Sequence, residues 1–168
     1  ASTRAVADGR ILVIGGLSAD GWSDRVEIYD PLEDIWSRGA PLPQAVANVS
    51  AAQIDGNIVI PGGLDRQDHV LTRVQVYDPQ ADRWELGPEL PEPRCGYGLA
   101  AVEGAVYLFG GWDGRAFVDT VLCLAANATE WQTVDHLSTP RGFMAAARWQ
   151  VVVLLTGGYA GTTDYAQA

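Results

Sequence analysis

The chain has 168 residues and a formal net charge of −10, with 11 basic side chains, all arginine, against 21 acidic ones. This charge repels phosphate backbones, and no arginine cluster offsets it, so the sequence argues against nucleic acid as a partner. Uninterrupted apolar runs such as VVVLL are far too short for a membrane-spanning helix, so we expect a soluble protein with no membrane partner.

Two similar stretches, VEIYDPLEDIW at 26–36 and VQVYDPQADRW at 74–84, indicate an internal repeat, and a weaker third copy ends at Trp131. Double glycines recur every 47 or 48 residues, each at the end of an apolar run. They are Gly15-Gly16, Gly62-Gly63, Gly110-Gly111 and Gly157-Gly158. A period of this size predicts one supersecondary unit per repeat, stacked against its neighbours.

Each unit is predicted to contain four short strands, as the second unit illustrates. Residues 46–54 are predicted as its first strand, and Asp55-Gly56 as a two-residue hairpin turn, because both positions tolerate positive φ. Residues 57–60 form a short apolar run that is typical of a buried strand. Alternation at residues 74–77 predicts a third strand, and the Asp-Pro pair that follows it predicts a turn into the fourth.

The other units keep this pattern with some departures. Equivalent turn pairs stand at Asp8-Gly9 and Glu103-Gly104, but the fourth unit has Gln150-Val151 instead. The third unit has Leu124-Ala125 where the first two have tyrosine and aspartate. Small residues dominate the first strands, as in NVSAAQ, GYGLAA and GFMAAA, which suits strands crowded around an axis. The sequence therefore predicts an all-β protein in which four-stranded sheets form the blades of a β-propeller.

The chain resembles the Kelch-repeat family of β-propellers. The resemblance rests on the double glycines and on the pairs Tyr29 with Trp36 and Tyr77 with Trp84, each seven residues apart. It implies four-stranded antiparallel blades in one propeller segment, with units at about 1–43, 44–91, 92–138 and 139–168, the last incomplete. The residues predicted to serve packing are Gly15, Gly16, Tyr29, Trp36, Gly62, Gly63, Tyr77, Trp84, Gly110, Gly111, Trp131, Gly157 and Gly158.

The connections after the second strands and between blades are predicted to emerge on one face. Their sequences, LSADGW, LDRQDH, WDGRAF and YAGTTD, differ among units while the framework repeats, which is typical of a recognition surface on a rigid scaffold. The candidate partner-binding residues are Arg94, Arg141, Asp65, Arg66, His69, Trp22, Trp112, Asp113, Arg115 and Tyr159. Arginine and large aromatic residues are enriched at binding hot spots, but these side chains could equally pack between loops or pair with local carboxylates.

The family resemblance implies that a peptide segment of another protein binds this face, often through an arginine at the start of the inner strand. Arg94 and Arg141 occupy that position, whereas the second unit has Val46. An acidic partner would suit these arginines, while the net charge of −10 opposes one, and the sequence leaves both possibilities open.

The sequence shows no carrier of catalysis. There is no lysine, and His69 and His136 lie in different units without a metal-binding spacing, so no metal and no cofactor are predicted. The first alternative is an enzyme of the carbohydrate oxidase or lyase type on the same face, which stoichiometric copper or iron would favour. Cys95 and Cys123 are expected to be free thiols, separated by one strand of the same blade, which slightly favours a reducing compartment such as the cytoplasm.

About 3.5 blades are expected, because the third strand of the fourth unit would begin near Ala168. Propellers close with about four to eight blades, so an open arc leaves apolar end faces and an unpaired strand edge. We therefore expect either a part of a longer chain or a homo-oligomer. A self-assembling segment, in which two copies complete one propeller, is the second alternative function.

Overall fold

We describe residues 2–19 and 21–161 of a computed structural model of the chain. The regular structure in these residues consists of β-strands, and they include no helix long and apolar enough to span a membrane. Asp20 of one predicted loop segment, residues 162–164 of another, and the expected third strand of the fourth unit lie outside the described residues.

Three antiparallel four-stranded sheets, which we call blades 1 to 3, follow one another along the chain, and each is ordered as in the sequence. Blade 1 contains β1 (Thr3–Ala7), β2 (Arg10–Ile14), β5 (Val26–Asp30) and β6 (Ile35–Gly39), and a small hairpin of β3 (Leu17–Ser18) and β4 (Gly21–Trp22) lies between β2 and β5. Blade 2 contains β7 (Ala52–Ile54), β8 (Asn57–Pro61), β9 (Val74–Asp78) and β10 (Arg83–Leu86). Blade 3 contains β11 (Gly98–Val102), β12 (Ala105–Phe109), β13 (Thr120–Ala125) and β14 (Gln132–His136). A half blade contains β15 (Ala145–Trp149) and β16 (Val152–Thr156), so the prediction of a partial propeller is confirmed.

The hairpin turns follow from their residue types. Asp55 and Gly56 both have positive φ, 49° and 81°, and join β7 to β8 with Ile54 opposite Asn57, as predicted for a two-residue turn. The fourth unit also forms a two-residue hairpin, with Trp149 opposite Val152 and Gln150 at a φ of 55°, although its turn lacks an Asp-Gly pair. The third unit also completes its blade, although the pairing of β13 with β14 shifts register within β13.

The predicted first strand of the second unit is too long. Residues 46–54 were expected to be extended throughout, but β7 covers only Ala52–Ile54. The residues before β7 form an irregular segment. Asn48 in this segment has a φ of 56°, which is incompatible with a strand, so regular pairing begins only at Ala52. The inner strand is therefore short, and its approach is bent.

Neighbouring blades pack face to face through apolar side chains. Between blades 1 and 2, Leu12 and Ile14 of β2 pack in one cluster with Ile58 and Ile60 of β8. Between blades 2 and 3, a second cluster brings buried residues of β8 and β9 together with those of β11, β12 and β13. This burial of one face of each sheet by the next is the main stabilising contribution in a blade array.

The repeated tryptophans add a hydrogen bond to each of these interfaces. The Trp84 indole N–H donates to the Ala40 carbonyl at 2.9 Å, and the Trp131 indole N–H donates to the Pro88 carbonyl at 2.9 Å. Trp36 occupies the same place in blade 1 and stacks on Tyr29 at 5.0 Å, but its indole makes no hydrogen bond within the described residues. Trp36 is 60% exposed, and within the described residues its predicted packing role is represented by the contact with Tyr29.

Both ends of the arc expose apolar side chains. The face of blade 1 opposite to blade 2 carries exposed Val6, Ile11 and Trp36, which lie in register across the sheet. The far side of the half blade carries exposed Val152 and Leu154. Each blade interface described above buries a face of this kind.

Candidate partner-binding face

The antiparallel strands place two sets of connections on the same side of the arc. The segments after the double glycines and the segments between blades lie at one edge, which we call the loop face. The two-residue hairpin turns and the Asp-Pro turns lie at the opposite edge, which we call the turn face. This arrangement follows from the alternating strand directions within each sheet and the chain-order topology.

The double glycines hold the base of each loop against the following blade. The N–H of Gly63 donates to the Arg94 carbonyl at 2.8 Å, and that of Gly111 donates to the Arg141 carbonyl at 2.9 Å. Gly110 has a φ of 54°, and a Cβ there would lie 2.5 Å from the Arg141 carbonyl oxygen. A side chain would therefore push the two blades apart, which explains why glycine stands at this position.

Arg94 does not reach the surface of the loop face. Arg94 is only 1% exposed. Its Nη2 donates to Thr120 Oγ1 at 2.9 Å and to a Glu92 carboxylate oxygen at 3.2 Å. Nη1 donates to the Pro93 carbonyl at 3.0 Å, whereas Nε has no hydrogen-bond partner within the described residues. The expectation that Arg94 is an exposed partner-binding residue is therefore wrong, because the guanidinium is buried between the segment after blade 2 and the start of β13.

Arg141 occupies the equivalent position one unit later and is half-buried. Its backbone N–H donates to the Val118 carbonyl at 3.3 Å. Its Cδ lies close to Gly158, where a Cβ would be 3.1 Å away. Part of the Arg141 side chain therefore serves packing against the last double glycine.

Asp65 shapes its own loop rather than facing solvent. It is 7% exposed, and Oδ1 accepts the backbone N–H groups of Gln67 at 2.8 Å and His69 at 2.9 Å. Partial burial raises the pKa of Asp65, but the N–H groups of His69 and Gln67 lower it more, so the net pKa is below its usual range. A carboxylate held in this way caps the turn and fixes the exposed His69 imidazole, whose Nδ1 lies 3.4 Å from Asp65.

Arg66 and Trp22 connect the loops of the first two units. The Arg66 guanidinium donates to the Trp22 carbonyl at 3.3 Å. Arg66 is exposed, and Trp22 is partly buried. A pocket of about 250 Å³ lies beside them between blades 1 and 2, with Asp24 and Asp65 in its lining. These loops form a polar region of the loop face.

Aromatic rings form a contrasting region over blade 3 and the half blade. The Phe117 ring lies 5.0 Å from Trp112, 5.6 Å from Tyr159 and 6.2 Å from Phe143, each in an edge-to-face arrangement. Phe143 is 55% exposed and Tyr159 is 40% exposed. We call these four residues the aromatic patch.

Asp113 builds the turn that carries Phe117. Its Oδ1 accepts the backbone N–H groups of Arg115 at 2.6 Å and Ala116 at 2.7 Å. Burial raises the pKa of Asp113, but these hydrogen bonds and the charges of Arg94 and Arg115 lower it more. Asp113 is thus occupied by its own loop, and Arg115 is left exposed at the tip of the turn.

Phe143 has an unusual backbone conformation. Asn48, Gly96 and Phe143 stand at the same place in successive units, with φ values of 56°, 61° and 54°. Asparagine and glycine tolerate this left-handed region, but for a bulky aromatic residue it costs on the order of 1 to 3 kcal/mol. Phe117 and Phe143 were not among the binding residues predicted from the sequence, although an alignment of the three units at position 143 shows the exceptional residue type.

The titratable groups of the framework are shifted by burial. Burial raises the pKa of the Cys95 thiol to about 11, and burial together with the hydrogen bond to Asp82 raises that of Tyr77. Cys95 and Cys123 are both free, as expected from the sequence. Within residues 2–19 and 21–161, no group of three or more His, Cys, Asp or Glu side chains is placed to hold a metal ion.

Comparison with known proteins gives the family. The family model for the Kelch motif matches residues 5–43, 45–91 and 93–131. Human Kelch-like protein 35 is 36% identical over 59 residues, which cover 35% of this chain and 10% of that protein. Bovine Kelch-like protein 36 is 47% identical over 49 residues, which cover 28% of this chain and 8% of that protein. The matched segments are thus a tenth or less of these relatives.

A solved structure shows the same fold. The structure of YjhT superposes with a TM-score of 0.75 over 99% of this chain and 79% of that one, at 14% sequence identity. At this identity the likeness concerns the fold alone. Because three Kelch motifs together cover most of its length, the chain belongs to the Kelch-repeat family.

Proposed function

We propose that this chain is a non-catalytic protein-interaction module that binds a segment of another protein on its loop face. Kelch repeats generally act in protein interactions. The observation that carries the proposal to this face is the variation at structurally equivalent loop positions. The backbone hydrogen bonds at the base of the loops repeat from unit to unit, but the side chains above them differ. An isolated bridge pairs Leu64 with Val70 in the second unit, and the equivalent bridge pairs Trp112 with Phe117 in the third.

The exposed side chains of this face provide the contacts for such a partner. Arg66, His69 and Arg115 present exposed polar groups, and Trp112 and Tyr159 present aromatic surface. Arginine, tryptophan and tyrosine contribute most to known binding hot spots, because they combine large apolar area with a polar group. Arg94 is excluded from this set because its guanidinium is buried.

A capture experiment with matched charge reversals tests the proposal. The chain is immobilised and exposed to an extract of its source organism, beside the variants Arg66→Glu/Arg115→Glu on the loop face and Arg10→Glu/Arg83→Glu on the turn face. Both double variants change the net charge equally, and thermal melts establish that each is folded. We expect mass spectrometry to detect partner proteins that the loop-face variant loses and the turn-face variant retains.

Two results would contradict the proposal. Retention of the same partners by the loop-face variant would place binding elsewhere on the molecule. Equal loss in both variants would show that net charge, and not a particular face, governs capture.

A further inference from the structure

Phe143 lies on a chain of hydrogen bonds between units. The N–H of Gly96 donates to the Asn48 carbonyl at 2.7 Å, and the N–H of Phe143 donates to the Gly96 carbonyl at 2.5 Å. All three residues have a positive φ. This backbone role accounts for the conformation of residue 143, but it gives no reason for an aromatic side chain there.

Glycines of the framework leave room for the rings of the aromatic patch. A Cβ at Gly96 would lie 2.8 Å from Cε1 of the Phe143 ring. A Cβ at Gly142 would lie 2.9 Å from Cε1 of the Phe117 ring. Because neither glycine carries a side chain, both rings can pack close to the backbone, and Phe143 remains exposed on the loop face.

The aromatic patch also carries a hydrogen-bond donor. The indole N–H of Trp112 makes no hydrogen bond within the described residues, and its nitrogen is not fully buried. The Tyr159 hydroxyl, in contrast, already donates to the Gly161 carbonyl. An indole nitrogen can only donate. The patch therefore offers a partner one N–H donor among apolar rings.

The charged groups beside the patch offset one another. Arg115 and Asp113 lie in the same turn, two residues apart. Burial raises the pKa of Asp113, but the N–H groups of Ala116 and Arg115 and the charges of Arg94 and Arg115 lower it more. The Asp113 carboxylate is therefore ionised at neutral pH beside the positive charge of Arg115. This turn favours neither an acidic nor a basic partner, which leaves the rings and the indole N–H as the recognition elements.

An apolar surface with one donor discriminates between the forms of a partner backbone. Aromatic rings give no strong acceptor to a partner N–H, and burying an N–H without an acceptor is unfavourable. Proline has no N–H. The carbonyls of a helix accept hydrogen bonds from the helix itself, whereas those of a polyproline II segment have no internal partner and can accept the Trp112 N–H.

The size of the patch fits one turn of such a segment. The ring separations of 5.0, 5.6 and 6.2 Å from Phe117 mean that no two of the four ring centroids are more than about 12 Å apart. One turn of a polyproline II helix has three residues and rises about 9 Å. Two prolines separated by one turn therefore lie within the reach of the patch.

We propose that the aromatic patch binds a proline-rich partner segment in the polyproline II conformation. This rests on the proposed function and names the class of its partner. The proline rings pack on Phe143, Phe117 and Tyr159, and a carbonyl of the segment accepts the Trp112 indole N–H. Because a polyproline II segment is already extended before it binds, little conformational entropy is lost.

Selection from a random peptide library tests the inference. A phage library of random 12-residue peptides is panned on the chain, and enriched peptides are synthesised with a fluorescent label for anisotropy titration. We expect the enriched peptides to contain two prolines separated by two residues, and replacement of both prolines by alanine to abolish measurable binding. In a proton–nitrogen NMR spectrum, blocked decaproline should shift the indole N–H signal of Trp112, which is identified by its absence in Trp112→Phe.

Two variants with matched controls locate the site. Trp112→Phe removes the donor and keeps a ring, so peptide binding should weaken about fivefold, while Phe143→Asn should weaken it at least about tenfold. Asparagine occupies the same left-handed position at Asn48, so Phe143→Asn should not lower the melting temperature. Trp36→Phe and Trp149→Asn alter exposed tryptophans outside the patch and should leave peptide affinity unchanged.

Other outcomes overturn the inference. Enrichment of peptides without proline, or equal affinity of wild type and Phe143→Asn, would refute the assigned chemistry. If no peptide is enriched and decaproline does not shift the Trp112 signal, the patch is not a proline site, and a shift caused by cellobiose instead would assign it to carbohydrate. In each of these cases the capture experiment can still support the loop face. If the loop-face charge reversals do not affect capture, the proposed function fails independently of the peptide result.

Discussion

Trp84 and Trp36 provide a matched test of how the blades stabilise one another. Each stacks on a tyrosine of its own blade, at 4.9 and 5.0 Å, but only Trp84 donates to a carbonyl of the preceding unit. Trp84 is partly buried, and removing about 150 Å² of aromatic surface from water corresponds to about 4 kcal/mol at about 25 cal/mol per Å². This is an upper estimate, and the hydrogen bond adds about 1 kcal/mol, so Trp84→Ala should cost about 3 to 4 kcal/mol.

Trp36→Ala should cost only about 1 kcal/mol, because Trp36 is 60% exposed and lacks the contact with a preceding unit. Urea unfolding followed by far-ultraviolet circular dichroism measures both variants without relying on tryptophan fluorescence. Comparable losses in the two variants, or a loss below about 1 kcal/mol for Trp84→Ala, would show that the inter-blade contact of Trp84 is not a major stabilising interaction and that the assigned packing is wrong.

Three further outcomes follow from the same structure. Arg94→Ala should lower the free energy of unfolding by about 2 to 3 kcal/mol, since it removes buried charged hydrogen bonds, whereas exposed Arg115→Ala should change it by less than about 0.5 kcal/mol in the same urea assay. The hydrogen bond from the Ala40 N–H lowers the pKa of Asp82 in the folded chain. The contribution of Asp82 to stability should therefore be complete above about pH 5 and be lost as the pH falls below about 4, and Asp82→Asn should reduce this acid dependence in melts across pH. The isolated chain should self-associate through its exposed end sheets at micromolar concentration, and Leu154→Arg should reduce the mass measured by light scattering; a stable 18.0 kDa wild-type monomer would contradict this.

The blade framework could be predicted from the sequence because its signals are local and repeated. Asp55-Gly56 specifies its turn by the φ values that these residue types tolerate, whatever surrounds them. The interval between double glycines fixes the length of the repeat, and the turn signals within it indicate four strands per unit without knowledge of distant contacts. The irregular segment around Asn48 was missed because β-branched Val46 and Val49 within it are also typical of a strand.

The composition of the loop face was harder to predict because it depends on contacts between units. The buried Arg94 guanidinium donates a hydrogen bond to Thr120 of β13, which is 26 residues away in the chain. The aromatic patch joins residues of the third unit to Phe143 and Tyr159 of the fourth. A pattern within one repeat cannot show which side chains a neighbouring repeat will cover or expose.

The hydrogen bonds of the double glycines explain how loops can vary without loosening the propeller. The bond from Gly63 to the Arg94 carbonyl fixes the base of one loop directly to the next blade, so an exposed residue at the loop tip, such as Arg66, can vary without changing this contact. Substitutions at such exposed tips should therefore change binding more than stability. Phe143 is the exception, because it lies on the inter-unit hydrogen-bond chain itself and presents its ring to solvent.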